Sequence, residues 1–405
     1  MNNKLRLILI GSLISSVSAV VHGETFADFL NAQKDNSKAE FQQFKAQEKD
    51  EFELYKKELQ DAFIQYKQKV AGVWGKKKAV IPTKKRDVSY LNNLKQRSII
   101  DYAKGQVKID IAVTPEEARN KALLQKKMQK ALNKALKQGS DKRSIIEIAK
   151  KPVADSSTGP AVLAKLVQDR NGKTLKPQDT KRFVTRQSKK LSLTKTRGTD
   201  NRPRVIVSTS FPMIPKHLEV RARKYLSPVK KYSANMKLPP ELVFAIMETE
   251  SAFNPNARSS VPAFGLMQLV PTSGARDAYR LLYKRDKVVS DRYLYNPDNN
   301  IKMGTAFIHK LYYSYLSGIS DPESRTWATI AGYNTGAGNV FNTFAGKYRR
   351  SKFGNRSNWK KKALSIINSK TPEQVYSYMK RNLPHAETKH YIKNIRKRIT
   401  KYKSL

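Results

Sequence analysis

The sequence predicts an α+β chain in two parts: an N-terminal α+β domain with a long helix and a small antiparallel sheet, then a mainly α-helical domain. Three observations carry that expectation. Apolar residues recur at three- and four-residue steps up to Trp74, apolar residues alternate on both sides of Lys104-Gly105, and beyond Pro215 alternation gives way to helical spacing broken by proline turns. A length of 405 residues with 39% hydrophobic content fits two cores better than one.

Taken in order, Lys4 and Arg6 precede an apolar run from Leu7 to Val21, and small residues stand at Ser18, Ala19 and Gly23. That is the order of charged, apolar and cleavage regions in a secretory signal peptide, expected over 1–23. From Thr25 to Trp74 the residues Phe41, Phe44, Phe52, Tyr55, Leu59, Phe63, Tyr66 and Val70 form one stripe of an amphipathic helix. Ile99, Asp101 and Ala103, then Val107, Ile109, Ile111 and Val113, read as a β-hairpin turning at Lys104-Gly105. Thr114-Pro115-Glu116-Glu117 offers a cap, a proline and early acids for a helix running to about Lys137. Gln187 to Arg204 lacks periodicity, so a basic linker is expected near 187–204, although Arg204 to Phe211 still reads as a strand of the first domain. The accessory domain is therefore placed at 24–210 and the helical domain at 211–405.

Lys and Arg number 79 against 33 Asp and Glu, a formal charge of +46. Such an excess suits an extended polyanion or an anionic surface rather than a small neutral metabolite. There are no cysteines, which excludes disulfides, thiolate metal sites, a cysteine nucleophile and a lipid-bearing N-terminal cysteine. The five histidines form no His-Glu-x-x-His pair, and Gly336-Ala337-Gly338 lacks the third glycine and the preceding strand of a dinucleotide loop.

Pro239-Pro240-Glu241 opens a helix whose apolar residues Leu242, Val243, Ala245, Ile246 and Met247 bury one face. Glu248 and Glu250, two apart, point to different sides, so one is expected to face inward, and Glu250, four after Ile246, is the better placed. A carboxyl among aliphatic side chains favours its neutral form, as a general acid requires. Pattern alone leaves a general acid and a solvated helix end both open.

The residues that follow are more specific. Glu250-Ser251-Ala252-Phe253-Asn254-Pro255-Asn256-Ala257, Ser259, Gly265-Leu266-Met267-Gln268-Leu269 and Pro271 resemble the goose-type-lysozyme-like lytic transglycosylase domain. Gly332-Tyr333-Asn334-Thr335-Gly336-Ala337-Gly338 resembles that family's tyrosine-asparagine-glycine loop, and Leu383-Pro384, Glu387-Thr388 and Tyr391 its final motif. Met213 through Tyr225 resembles the membrane-bound lytic murein transglycosylase C subfamily. Ala263-Phe264 stands where the family often has Gly-Ala, and Gly332 where Ala is common.

The resemblance implies a lysozyme-like helical domain that cleaves the MurNAc–GlcNAc β-1,4 bond of peptidoglycan and leaves a 1,6-anhydro end, with Glu250 as acid and then base and no metal or organic cofactor. It implies Ser251 beside the acid and hydrogen-bonding around the substrate, Met267 and Gln268 lining the cleft near the scissile sugars, Tyr333 and Asn334 on the opposite wall, Tyr391 hydrogen-bonding near Glu250 or the acetamido group and Glu387 organising that wall. Partners are then peptidoglycan strands and an anionic membrane or cell-wall surface, with no nucleic acid expected. Without the cysteine that anchors the subfamily as lipoproteins, the chain is expected in the periplasm, free or held by charge. The rival classes are a nucleic-acid binder, which the charge suits and the export signal opposes, and a noncatalytic wall-binding protein, which an intact acid motif opposes.

Overall fold

The alternation around Gly105 forms the centre of an antiparallel sheet, as expected. The computed structural model describes residues 53–139, 143–153, 161–169, 171–259 and 262–405; the signal segment and Phe41, Phe44 and Phe52 of the expected helix lie outside them. The strands are β1 (Arg86–Leu91), β2 (Gln96–Asp101), β3 (Gln106–Val113), β4 (Ser192–Arg197) and β5 (Pro203–Pro212), ordered β1-β2-β3-β5-β4 with all neighbours antiparallel.

Both sheet faces are covered. Helix α1 (55–74) buries Leu59, Phe63, Tyr66, Val70 and Trp74, the stripe expected from spacing. Its aromatic rings meet the face carrying Tyr90, with Tyr66 and Trp74 edge-on to it at 6.1 and 6.0 Å. That face also holds a cross-strand ion pair, Arg97 Nε to Asp110 at 2.7 Å, with the guanidinium 4.0 Å over the Trp74 ring. On the opposite face Val107, Ile109, Ile111 and Val113 pack with Leu124, Met128 and Leu132 of α2 (Lys121–Lys137) in a second core.

Two expectations change here. Thr114 caps Glu117 N as foreseen, and Glu117 bonds back to Thr114 N, but they close a single 3-10 turn, Glu117–Arg119. Helix α2 starts later because Asn120 caps it, its side chain accepting from Leu123 N at 2.9 Å. The segment 187–204 is no open linker, since it contains β4, hydrogen-bonded along β5. Being an edge strand exposed on nearly every residue, β4 needs no apolar alternation, which is why periodicity passed over it.

The remaining helices are α3 (Ile145–Lys150), α4 (Thr180–Gln187), α5 (His217–Arg223), α6 (Leu226–Asn235), α7 (Pro240–Ser251), α8 (Arg276–Tyr283), α9 (Asp291–Leu294) and α10 (Pro297–Lys310). After them come α11 (Pro322–Thr335), α12 (Ala337–Ala345), α13 (Arg350–Phe353), α14 (Arg356–Asn368), α15 (Pro372–Asn382) and α16 (Ala386–Tyr402). Helix α7 is the axis of this half. Every residue from Leu242 to Ser251 is buried, so it is enclosed on all sides rather than on one face. The prolines at its start act as foreseen, Pro239 at the cap and Pro240 in the first turn. Helices α6 and α16 both pack against it, and the core that holds α7 and α16 continues through α1 to Tyr90.

Candidate active site

Helix α7 ends abruptly. Ala252 and Phe253 take left-handed φ of 49° and 60°, a conformation that costs a side-chain-bearing residue on the order of 1 kcal/mol each. The sharp exit leaves Glu250 in the last turn, on the wall of a cleft of about 880 Å³. Gln268, Tyr333, Asn334, Thr388 and Glu387 share that wall, and Phe307, Phe341 and Trp359 supply its apolar surface.

Glu250 is 7% exposed. Burial raises its carboxyl above the ordinary range, Lys84 and Lys85 nearby pull it down, the Tyr391 hydroxyl also favours the ionised form, and the Glu387 charge adds to the rise. The balance is a raised value, so the acid form survives to higher pH than in a solvated glutamate. Tyr391 is buried with its hydroxyl turned toward that carboxyl, short of direct hydrogen-bond geometry. Burial, then the Glu250 charge, drives the phenols of both Tyr333 and Tyr391 well above their usual value. Both are therefore neutral donors.

The loop 262–271 forms the floor through an exacting backbone. Gly265 has φ of +75°, and a Cβ there would lie 2.4 Å from Asn300 Nδ2 and 2.5 Å from Leu294 O. Asn300, fully buried, donates to Phe264 O and Leu294 O at 2.9 and 2.8 Å and accepts from Met267 N at 2.8 Å. Gln268 anchors its amide on Ala257 O and Gly265 O at 3.2 and 3.0 Å and leaves Oε1 without a partner. The Tyr333 hydroxyl donates to Met267 O at 2.8 Å, tying α11 to this loop. The Thr388 hydroxyl donates to Asn334 Oδ1 at 2.6 Å, tying α16 to the end of α11.

Of the residues singled out by sequence, the structure brings Glu250, Gln268, Tyr333, Asn334 and Glu387 to the cleft, with Tyr391 behind the acid. It does not bring Ser251 or Met267 to the wall. Both are fully buried, and the Ser251 hydroxyl donates to Leu266 O at 2.7 Å and Met247 O at 3.0 Å. They support the floor from beneath. Met267 packs where Gly304 leaves room, since a Cβ on that glycine would sit 2.3 Å from its sulfur.

The expectation that only one of the two glutamates faces inward is also corrected. Glu248 is 7% exposed as well, but it points at α16, where Arg398 Nε and Lys401 Nζ each reach it at 2.7 Å and the Tyr402 hydroxyl donates to it. Burial alone would raise its carboxyl; the bonds from Lys401, Tyr402 and Arg398 outweigh that and hold it below the usual range.

Sequence reasoning missed Lys84, which lines the cleft from a segment 166 positions before Glu250. It missed Thr388 as Asn334's partner, and Phe341 and Trp359, which meet edge-to-face at 5.7 Å. Tryptophan beside three lysines at 360–362 was a usable signal for an aromatic wall. Lys84 gave none, because it is one of several lysines in a basic loop.

The chain matches two family descriptions in succession: "Membrane-bound lytic murein transglycosylase C, N-terminal domain" over residues 50–224, and "Transglycosylase SLT domain" over residues 227–355. It is 33% identical over 332 residues to a membrane-bound lytic murein transglycosylase C of Klebsiella pneumoniae subsp. pneumoniae, covering 80% of this chain and 83% of that one. A protein of the same description from Salmonella arizonae is 31% identical over 331 residues, with the same 80% and 83% coverage. Among solved structures, the 70 kDa soluble lytic transglycosylase of Escherichia coli matches at 25% identity and a TM-score of 0.33, covering 45% of this chain and 25% of that one. The family matches and the relatives make this a lytic transglycosylase, an enzyme acting on peptidoglycan. The chain belongs to the membrane-bound lytic murein transglycosylase C family.

Proposed function

We propose that Glu250 is the general acid and then the general base of this lytic transglycosylase. The observation that carries the reading is its buried carboxyl on the wall of the cleft, raised above the ordinary range by burial, so that it keeps its proton to higher pH than a solvated glutamic acid. The protonated acid gives its proton to the oxygen between MurNAc and GlcNAc as that bond to MurNAc C1 breaks. The resulting carboxylate takes the proton of the MurNAc C6 hydroxyl, whose oxygen closes on C1 to form the 1,6-anhydro ring. The acid is restored and no water is consumed. The apolar wall at Phe341 and Trp359 suits sugar faces.

We divide the chain into an accessory part over 24–210 and a catalytic part over 211–405; the two family matches, 50–224 and 227–355, support that order and put the join later, at 224–227. We place the enzyme in the periplasm, exported by the segment 1–23, and held at the envelope by its charge. Among the described residues no helix is long and apolar enough to cross a membrane, and no cysteine is present to carry a lipid.

Mass spectrometry of products released from sacculi by the wild type and by Glu250→Gln tests the mechanism. Anhydro-muropeptides from the wild type and a loss of roughly 10²- to 10⁴-fold in the variant are expected. Reducing-end sugars would replace this mechanism with hydrolysis, and an active variant would move the acid elsewhere.

A further inference from the structure

Lys84 enters the cleft from the sheet-bearing half by a built device. Thr83 and Arg86 bond each other across a tight turn, Thr83 N to Arg86 O at 2.8 Å and Arg86 N to Thr83 O at 3.4 Å, which leaves Lys84 and Lys85 at its tip. The tip is pinned from two sides. Tyr102 N donates to Lys85 O at 2.9 Å from the sheet, and Asn254 Nδ2, just past the acid, donates to Lys84 O at 3.4 Å. Lys85 is half-buried, and burial lowers its ammonium, whereas the Lys84 side chain is 38% exposed and faces the cleft.

We propose that Lys84 is a specificity-determining residue that binds a carboxylate of the peptide stems carried by the glycan strand next to the scissile bond. This rests on the reading of the cleft given above. The glycan backbone of peptidoglycan offers hydroxyls and acetamido groups, and its negative charge resides in the stems, so a cation pinned beside the acid matches the stem and not the sugar. Among the described residues the ammonium pairs in the cleft with Glu387, at 3.9 Å and 76% exposed. An ion pair that long and that wet is weak and exchangeable, so a substrate carboxylate can take its place while Glu387 swings into solvent. The second lysine of the wall, Lys360, stands 5.6 Å over the Phe341 ring and serves the apolar surface instead.

The experiment compares wild type, Lys84→Met, Lys84→Arg and Glu250→Gln on peptide-bearing strands and on the same strands with their stem carboxylates converted to carboxamides. Lys84→Met is expected to raise KM on peptide-bearing strands about 3- to 5-fold, the change an exposed charge pair supports, while the loss of a charge that pulls the Glu250 carboxyl down moves the alkaline limb of kcat to higher pH alike on both substrates. On the amidated strands KM should be unchanged, and Lys84→Arg should restore the wild-type KM on peptide-bearing strands. Equal changes of KM on both substrates, or no change on either, overturn the proposal. A raised KM on amidated strands with Lys84→Met while thermal melting is unchanged would also overturn it, assigning Lys84 to the sugar. Activity in Glu250→Gln would sink the underlying reading independently of Lys84.

Discussion

Glu248 and Glu250 are the same residue type two positions apart, equally buried, with carboxyls displaced in opposite directions. The difference is what faces them. Three donors on α16 satisfy Glu248, whereas Glu250 shares a cleft with Lys84, Tyr333 and Glu387, feels Lys85 and Tyr391 from outside it, and has the Tyr391 hydroxyl short of a full hydrogen bond. Because burial raises its pKa in the folded state, Glu250 contributes most below the ordinary glutamate range, and that contribution is lost as pH rises through its folded value. Glu250→Gln should therefore melt higher than the wild type at neutral pH while losing activity, with the gap closing on acidification. Thermal melts at several pH values check this, and a variant that melts lower throughout would mean the carboxylate is satisfied. For activity the same sign holds: kcat/KM should fall as pH rises through the raised Glu250 value, and a rate that climbs across that limb would remove its role as acid.

At the scale of elements, Glu248 is what fastens α7 to α16. Its lowered carboxyl gives stability present above the usual range and lost as pH falls through the folded value. Glu248→Gln should cost about 2–3 kcal/mol at neutral pH, toward the low end of buried pairs because Arg398 and Lys401 are 24% and 43% exposed. Denaturant titration measures it, and the cost should shrink at acidic pH, the reverse of Glu250→Gln. Gly265→Ala meets a different obstacle: a left-handed φ and two polar atoms within 2.5 Å of the new Cβ. It should cost about 2 kcal/mol or more and disturb the floor that seats Gln268; unchanged stability would show that the loop can move aside. Elements with a strong period were legible from sequence: the stripe of α1, the β2–β3 hairpin and the proline-led start of α7. The edge strand β4 was not, since solvent on its surfaces erases alternation. Nor was the inward turn of Glu248, because a helix wrapped on every side has no polar face to reveal. In the site, local motifs pointed to Glu250, Gln268, Tyr333 and Asn334. Lys84 depends on a turn packed against Tyr102 and Asn254, a contact between distant parts of the chain that no local pattern encodes.

For the molecule as a whole, the question is whether the accessory half is an attachment or a structural part of the enzyme. Contacts group Tyr55–Leu405 as one compact unit, and one core runs from Leu59, Tyr66 and Trp74 of α1 through Phe244 of α7 to Tyr402 of α16. The junction is polar as well as apolar: Arg221 of α5, 4% exposed, stacks 3.8 Å over the Tyr102 ring, and burial drives its guanidinium down to about 10. Separating the halves would expose this cation, the α1 stripe and the Lys84 turn together. Calorimetry of the mature chain should thus give one transition, with calorimetric and van't Hoff enthalpies equal. Two resolved transitions, the later one insensitive to Trp74→Ala, would show that the helical half folds without its neighbour. Trp74→Ala itself removes a fully buried indole and its bond to Leu94 O at 2.7 Å, a loss of about 3–5 kcal/mol. In a shared core that loss lowers the single transition of the whole unit, and the catalytic activity melts at the same lowered temperature as the sheet.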